Sequence, residues 1–151
     1  MPNRRQFLLA SAAASLAPLT IGRKLFAAAP QVITVYKDAN CGCCAKWVKH
    51  LSANGFVVSA RDVMNMDEIK QNMRVPSELQ SCHTAVVDRY VIEGHVPADA
   101  IKKLLAEKPQ VQGLAVAGMP MGSPGMEGDR KDHYDIMAFT NDGKVRVYAK
   151  R

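Results

Sequence analysis

Three of the four cysteines in this 151-residue sequence lie within four residues of one another, at Cys41, Cys43 and Cys44. The preceding run from Val32 to Tyr36 alternates and is β-branched, which predicts a strand. After the cysteines, apolar residues recur with helical spacing, so we expect a helix that Asn40 caps and that ends at Asn54–Gly55. Cysteines at such a turn face the positive end of the helix dipole, which favours thiolate over thiol. The segment therefore predicts a soft-metal site, a redox site, or both.

Four cysteines also admit disulfides, and the sequence leaves more than one pairing open. A bridge between the neighbours Cys43 and Cys44 would be strained. Cys41 and Cys44 have the C-x-x-C spacing of redox-active pairs, which leaves Cys43 to pair with Cys82 or to stay free. Two structural disulfides are the alternative to a reactive site, but the crowding of three cysteines into one helical turn favours reactivity.

The first 29 residues predict an export signal. A twin-arginine pair, Arg4 and Arg5, is followed by an apolar run over 7–21 and by small residues at 27–29 that suit cleavage. The apolar run has 15 residues, fewer than the roughly 20 needed to span a bilayer, so an uncleaved anchor is the less favoured alternative. We predict a twin-arginine export signal over 1–29 and a periplasmic mature protein that is not embedded in a membrane.

The basic character of the sequence comes largely from this signal. Residues 1–29 hold four of the 20 lysines and arginines and none of the 14 acidic residues, so the remainder has a net charge of +2 instead of +6. We therefore expect no binding to nucleic acid. The roughly 120 residues that remain are enough for one domain with a modest core.

The rest of the chain predicts elements in the order strand, helix, strand, helix, strand, strand, helix. Strands are expected over 56–63 and in a hairpin over 85–93, a short helix begins at Asn65, and a third begins at Pro97. This is the order of the thioredoxin-like fold, so we assign 30–110 to a thioredoxin-like α/β domain. The place of the usual cis-proline of that fold falls near Cys82–His83, which predicts that Cys82 meets the other three cysteines in space.

The segment 113–127 has too much glycine and proline for a helix or a central strand. It carries three methionines without a regular face to bury them: Met119, Met121 and Met126. Methionine is a soft thioether ligand that selects Cu(I), and the alternative is a hydrophobic loop that packs over the domain. A final hairpin is expected over 134–148, and we assign 111–151 to a C-terminal extension that contributes to the metal site.

Two histidines are the next candidate ligands, because neutral imidazole binds both copper and zinc. His83 adjoins Cys82, and His95 follows a predicted strand. We expect His50 and His133 to be solvated. Zinc is the rival metal for a site of cysteine and histidine alone, and the three methionines of the segment 113–127 favour copper.

Four motifs resemble, in the same order, those of the small exported copper-resistance proteins of the CopG type. They are C-G-C-C from Cys41, S-C-H-T from Ser81, E-G-H-V-P from Glu93 and G-M-P-M-G-S-P-G-M from Gly118. The resemblance covers nearly the whole chain after the signal. It implies a thioredoxin-like domain with a metal-binding C-terminal extension, a cysteine-bridged copper cluster beside the C-x-C-C motif, and a role in interconverting Cu(I) and Cu(II).

The predicted metal ligands are Cys41, Cys43, Cys44, Cys82, His83, His95, Met119 and Met126. The favoured function is a monomeric, redox-active copper-binding protein in copper resistance, with copper ions and copper-efflux components as partners. Whether the protein turns over as an enzyme is left open by the sequence. A thiol–disulfide oxidoreductase and a passive copper chaperone for an efflux system remain the alternatives.

Overall fold

The computed structural model describes residues 30–151, and the predicted export signal lies outside the described residues. In chain order the elements are β1 (Val32–Lys37), α1 (Gly42–Ala53), β2 (Val57–Asp62), α2 (Met66–Asn72), a 3-10 turn (Ser77–Leu79), β3 (His83–Val87), β4 (Tyr90–Glu93), α3 (Ala98–Glu107), β5 (Gly113–Ala115), β6 (Asp135–Phe139) and β7 (Val145–Lys150). The mixed α/β class and the predicted order of strands and helices from β1 to α3 are confirmed. In the described part of the chain, every helix is too short or too polar to cross a membrane.

All seven described strands join one mixed sheet in the order β2-β1-β3-β4-β5-β6-β7. β1 is parallel to β2 and antiparallel to β3, and β3 is antiparallel to β4. β5 runs parallel to β4, and β6 and β7 complete the sheet as the predicted antiparallel hairpin. The C-terminal hairpin therefore extends the same sheet, and β5 connects it to β4.

The strand β5 corrects the expectation that glycine and proline exclude a central strand from 113–127. Gly113–Ala115 lies between β4 and β6. A Cβ atom on Gly113 would lie 1.9 Å from the carbonyl oxygen of Val91, so glycine permits the close approach of two backbones here. After β5, the chain leaves the sheet as the predicted loop and returns at β6.

Both faces of the sheet are covered by buried apolar residues. The larger cluster packs α1 and α3 on one face and includes Trp47, Leu51, Ile92, Ile101 and Leu104. A smaller cluster includes Val75, Leu79, Val91 and Phe139. Since Val91 and Ile92 are consecutive residues of β4, their side chains point to opposite faces. The sheet is therefore the middle layer of the molecule.

The start of α1 differs from the prediction, because its N-cap is Cys41 and no side chain caps it. The amide of Asn40 instead donates to Oδ1 of Asp38 at 2.7 Å, and the amide of Cys41 donates to the Asp38 carbonyl oxygen at 3.1 Å. A turn built on Asp38 thus replaces the predicted cap. The predicted end is confirmed at the C-cap Asn54, which Gly55 follows at φ +88°.

Candidate metal centre

The four cysteines meet at one edge of the sheet because strand pairing brings β3 beside β1. Lys37, the last residue of β1, pairs with His83, the first residue of β3. The chain leaves β1 through the turn that carries the C-x-C-C motif, and Cys82 directly precedes β3. The prediction that Cys82 meets the other three cysteines is confirmed, since the four sulfur atoms lie within 4.8 Å of one another.

The cysteines are in two states. Cys41 and Cys44 form a disulfide, while Cys43 and Cys82 carry free sulfurs. The Cys43 Sγ atom lies 3.6 Å from Cys41 Sγ and 3.7 Å from Cys82 Sγ. Of the pairings that the sequence leaves open, the structure has the C-x-x-C bridge and two unbridged thiols. Reduction of the bridge would therefore make four thiols available at one place.

Two buried histidines adjoin Cys82. The Nε2 atom of His95 lies 3.1 Å from Cys82 Sγ, and the Nδ1 atom of His83 lies 3.3 Å from it. Both histidines are fully buried. The donor atoms of these three residues lie within 4.8 Å of one another, so Cys82 belongs both to the group of four cysteines and to this Cys–His–His group.

A hydrogen bond sets the orientation of the His95 ring. Its Nδ1 atom lies 2.7 Å from the carbonyl oxygen of Pro124. A carbonyl oxygen can only accept, so Nδ1 carries the proton and Nε2 keeps a free lone pair towards Cys82. Histidines that bind metals usually donate their other ring N–H group in this way. The orientation of His95 is therefore that of a metal ligand.

Burial keeps the two imidazoles in the neutral form that binds metals. It lowers the pKa of His95, and together with the nearby His95 and Lys70 it lowers the pKa of His83 to about 3. Burial also raises the pKa of Cys82 to about 12, and the neighbouring Cys43 adds to that shift. Without a metal, Cys82 is therefore a thiol, and a metal ion that binds it has to displace its proton.

One ring nitrogen of His83 lacks a partner. Its Nε2 atom is buried and has no hydrogen-bond partner among the described residues. The His83 ring packs against the rings of Trp47 and His95, with centroids 4.3 Å and 5.1 Å away. Leaving a buried polar atom unpaired costs free energy, and a metal bound at Nδ1, the nitrogen that faces Cys82, would leave Nε2 unpaired. The donor set at Cys82, which combines soft cysteine sulfur with one nitrogen from each buried histidine, is the feature that fits a metal ion.

The methionine loop, residues 116–134 between β5 and β6, reaches the cysteines through Met119. The Met119 Sδ atom lies 3.8 Å from Cys43 Sγ, and 51% of this residue is exposed. Met126 is partly buried in a turn where its amide donates to the Ser123 carbonyl oxygen at 2.8 Å; its role as a ligand stays a prediction. Met121 is also partly buried.

Gly125 fixes the loop against the cysteine motif. Its φ is +92°, and a Cβ atom there would lie 2.7 Å from the carbonyl oxygen of Cys43 and 3.3 Å from Nδ1 of His95. Glycine alone combines this conformation with such close contacts at little cost. The loop that carries Met119 therefore closes directly over the start of α1.

Sequence reasoning missed the role of His50. It predicts a solvated side chain, but His50 Nε2 accepts the amide of Ala98 at 3.1 Å and joins α1 to the start of α3. The first amides of a helix have no partner inside the helix, so a side chain from a neighbouring helix can accept from one of them. Burial lowers the pKa of His50. His133 is exposed, as expected.

A buried polar network next to the site was also missed. Lys70, Thr84 and Glu93 form an ion pair and hydrogen bonds beside Cys82 and His83. Thr84 and Glu93 belong to two of the four sequence motifs, but Lys70 lies on α2, where its sequence context predicts an exposed side chain. The pairing of β3 with β4 brings Thr84 beside Glu93, and the packing of α2 against β3 adds Lys70.

Two solved structures named copper resistance protein CopG, in forms 2 and 1, are each 48% identical in sequence to this chain. Their TM-scores are 0.78 and 0.77, and each match covers 82% of this chain and 99% or 98% of the solved one. The chain belongs to the CopG copper-resistance family. The resemblance stated from the sequence motifs is thereby confirmed.

The family described as "Protein of unknown function, DUF411" matches residues 79–126. In this CopG-family chain, that range includes Cys82, both buried histidines and the three methionines of the loop, while the C-x-C-C motif precedes it. No curated protein matches the chain.

Proposed function

We propose that this protein binds copper in copper resistance. Its ligands would be Cys41, Cys43, Cys44, Cys82, His83, His95, Met119 and Met126. The observation that carries the proposal is the convergence of four cysteine sulfurs with two buried, neutral imidazoles at Cys82. Thiolate and thioether sulfur favour Cu(I) among the biological metals. The solved relatives are named copper resistance proteins, which supports copper over zinc.

The spacing of the sulfurs supports a multinuclear site. Adjacent thiolates of a C-x-C-C segment cannot all surround one tetrahedral ion without strain, but they can bridge several Cu(I) ions. Cys43 lies between Cys41 and Cys82 at nearly equal distances of 3.6 and 3.7 Å. A bridging sulfur at Cys43, with Met119 on its exposed side and the histidines beyond Cys82, would hold such a cluster.

The disulfide supports a redox role. Closing the Cys41–Cys44 bridge from two thiols releases two electrons and two protons, which is enough to reduce two Cu(II) ions to Cu(I). An external thiol reductant would reopen the bridge by thiol–disulfide exchange. In the reverse direction the bridge would accept two electrons and two protons while two Cu(I) ions are oxidised to Cu(II), so the proposed activity is the interconversion of Cu(I) and Cu(II).

The proposed location is the periplasm, because residues 1–29 have the pattern of a twin-arginine signal. We propose that the mature protein is a monomer and that copper-efflux components receive its copper. Residues 30–110 would form a thioredoxin-like domain, and residues 111–151 would be the extension that adds Met119 and Met126 to the site.

A thiol–disulfide oxidoreductase is the second candidate, and the C-x-x-C disulfide is the observation that favours it. A disulfide exchanger needs a sulfur that a protein substrate can reach, whereas here the loop closes over the motif at Gly125. A passive copper chaperone would share the ligands but not the redox chemistry.

Anaerobic titration of Cu(I) into the reduced protein, against a coloured Cu(I) chelator, tests the proposal. We expect the protein to compete with the chelator, and each single change of Cys41, Cys43, Cys44 or Cys82 to Ser to lower the bound copper sharply. Ala45→Ser, on the exposed side of the same helix, is the matched control and should bind normally. A parent protein that does not compete for Cu(I), but reduces a disulfide-bonded protein, would support the oxidoreductase instead.

A further inference from the structure

The buried polar network lies on the side of β3 and β4 that faces away from the histidine rings, because Thr84 follows His83 in β3. The Lys70 Nζ atom lies 2.6 Å from Oε1 of Glu93 and 3.0 Å from Oγ1 of Thr84. The Thr84 hydroxyl donates to Oε2 of Glu93 at 2.6 Å, and the amide of Ser81 donates to Oε1 at 2.7 Å. Both carboxylate oxygens are therefore paired.

Burying this network costs more free energy than burying apolar side chains in the same space. Lys70 is 4% exposed, and Glu93 and Thr84 are 0% exposed. The cost of removing two charges from water usually offsets their attraction, so an apolar pair of similar volume is often at least as stable. Net stability therefore does not account for the ion pair. What a fully paired network adds is a single defined arrangement of the chain segments that it joins.

The segments joined are those that carry the Cys–His–His group. Ser81 directly precedes Cys82, and Thr84 directly follows His83, so Glu93 holds the chain on both sides of these two residues. The next residue, Gly94, donates its amide to the His83 carbonyl oxygen at 3.0 Å and precedes His95. Each member of the group thus lies within two residues of a network contact.

Ser81 carries the network on to the methionine loop. Its hydroxyl donates to the carbonyl oxygen of Gly118, the residue before Met119. A Cβ atom on Gly94 would lie 2.6 Å from the Ser81 Cβ atom, so glycine lets the end of β4 pack directly against Ser81. One residue therefore connects the Glu93 carboxylate, the Cys82 backbone and the loop.

We propose that Glu93, with Lys70 as its buried counter-ion, is a positioning residue that sets the geometry of the metal site. It acts through the Ser81 amide and the Thr84 hydroxyl, and holds Cys82 and His83 in place for the metal. This inference rests on the copper-binding function proposed above and extends it to residues that are not themselves ligands.

Two double variants that lack the ion pair distinguish a positioning role of Glu93 from an effect of the buried charges. Lys70→Met with Glu93→Gln keeps a carbonyl oxygen that can accept from the Ser81 amide, whereas Lys70→Met with Glu93→Leu keeps none. Both remove the ion pair and leave similar volume. Partners that orient metal ligands are typically worth about 10- to 100-fold in affinity. We therefore expect the Gln variant to stay within about threefold of the parent in Cu(I) affinity, and the Leu variant to lose at least about tenfold.

The absorption spectrum of the copper-loaded protein is the second readout, and circular dichroism checks that both variants fold. A shifted spectrum in the Leu variant alone supports the inference. Equal copper binding and spectra in the two variants would overturn it. An equal loss in two folded variants would also overturn it, because charge and not the Ser81 contact would then matter.

A milder pair covers the case in which the Leu variant does not fold. Thr84→Ser retains the hydroxyl that donates to Glu93, and Thr84→Val removes it with little change in volume. The inference requires a shifted spectrum in the Val variant only, and an unshifted one refutes it. If the parent binds Cu(I) and the network variants have the same affinity and spectrum, this inference alone has failed. If the parent does not bind Cu(I), the proposed function has failed as well.

Discussion

His95 donates its Nδ1–H group to the carbonyl oxygen of Pro124 at 2.7 Å. This bond ties the end of β4 to the methionine loop and leaves the other ring nitrogen facing Cys82. One hydrogen bond thus holds the loop closed and also orients a candidate ligand. A change that lifts the loop is expected to turn the His95 ring as well.

The loop contact predicts a specific effect of Gly125→Ala. The new methyl group would lie 2.7 Å from the Cys43 carbonyl oxygen in a backbone with φ +92°, so both strain and collision oppose loop closure. Gly143→Ala is the control, because Gly143 has φ +80° but nothing within 4 Å of its added Cβ. We expect both to lose about 1 kcal/mol of unfolding free energy from backbone strain, and Gly125→Ala alone to lose further stability from the collision and to lose Cu(I) affinity. Equal affinities of the two variants in chelator competition would contradict this.

The methionines are tested by changing Met119, Met121 and Met126 together to Leu. Leucine keeps volume and apolarity at a cost usually under about 1.5 kcal/mol, so the fold should survive while copper binding weakens or its spectrum changes. Met119→Leu should account for most of the effect, because its sulfur contacts Cys43. Met137→Leu, beside the smaller core cluster, is the control. Unchanged affinity, stoichiometry and spectrum in the triple variant would leave the loop with a packing role only.

The histidine pKa values predict that the metal-free protein loses stability as the pH falls. Unfolded histidine titrates near 6.5, whereas the pKa of His83 is lowered to about 3 and that of His95 is lowered too. Below pH 6.5 the unfolded chain therefore binds protons that the folded one excludes, at up to about 1.4 kcal/mol per pH unit for each such residue. Urea denaturation between pH 4.5 and 7 measures this slope.

Two single variants test whether His83 contributes to this pH dependence of stability. His83→Phe keeps a ring beside Trp47 but cannot bind a proton, so its stability should depend less on pH. His133→Gln replaces an exposed histidine and should leave the dependence unchanged. Identical slopes in the parent and His83→Phe would show that His83 is not held neutral by burial.

The export signal is tested by changing Arg4 and Arg5 together to Lys. This keeps the charge but removes the arginine pair that the predicted pathway recognises. We expect the precursor to accumulate unprocessed, as seen by its larger mass in cell fractions, while a Lys24→Arg control is exported. Normal processing of the double variant would exclude a twin-arginine signal.

Local patterns predicted the parts of the fold that depend on neighbours in sequence. The alternation of Val32–Tyr36 and the glycine after Asn54 placed β1 and the end of α1, and Asn65 caps α2 as expected, with its side chain accepting the amide of Glu68. The cap of α1 was wrong because Asp38 forms a competing turn only two residues before Asn40. Alternatives of similar local energy cannot be separated by residue type alone.

The features that depend on the sheet were harder to predict. β5 has only three residues, and its glycine argues against a strand until the backbone of Val91 is known to lie beside it. Lys70 and Glu93 are 23 residues apart and meet only because α2 packs against β3, beside β4. The convergence of Cys82 on the motif could be predicted because Cys82 falls at the place of the usual cis-proline in the order of elements expected for a thioredoxin-like fold.

The methionine loop leaves the sheet after β5 and returns in β6, and these two strands are neighbours, with Ala115 paired to Met137. The sheet therefore holds the two ends of the loop together independently of the conformation of the loop, and each doubling of its length would cost only about 0.6 kcal/mol in closure entropy. The half that follows Met126 is mostly exposed from Glu127 to His133. A longer or shorter returning half should therefore cost little stability, whereas a change of length before Met126 would move Met119 away from Cys43.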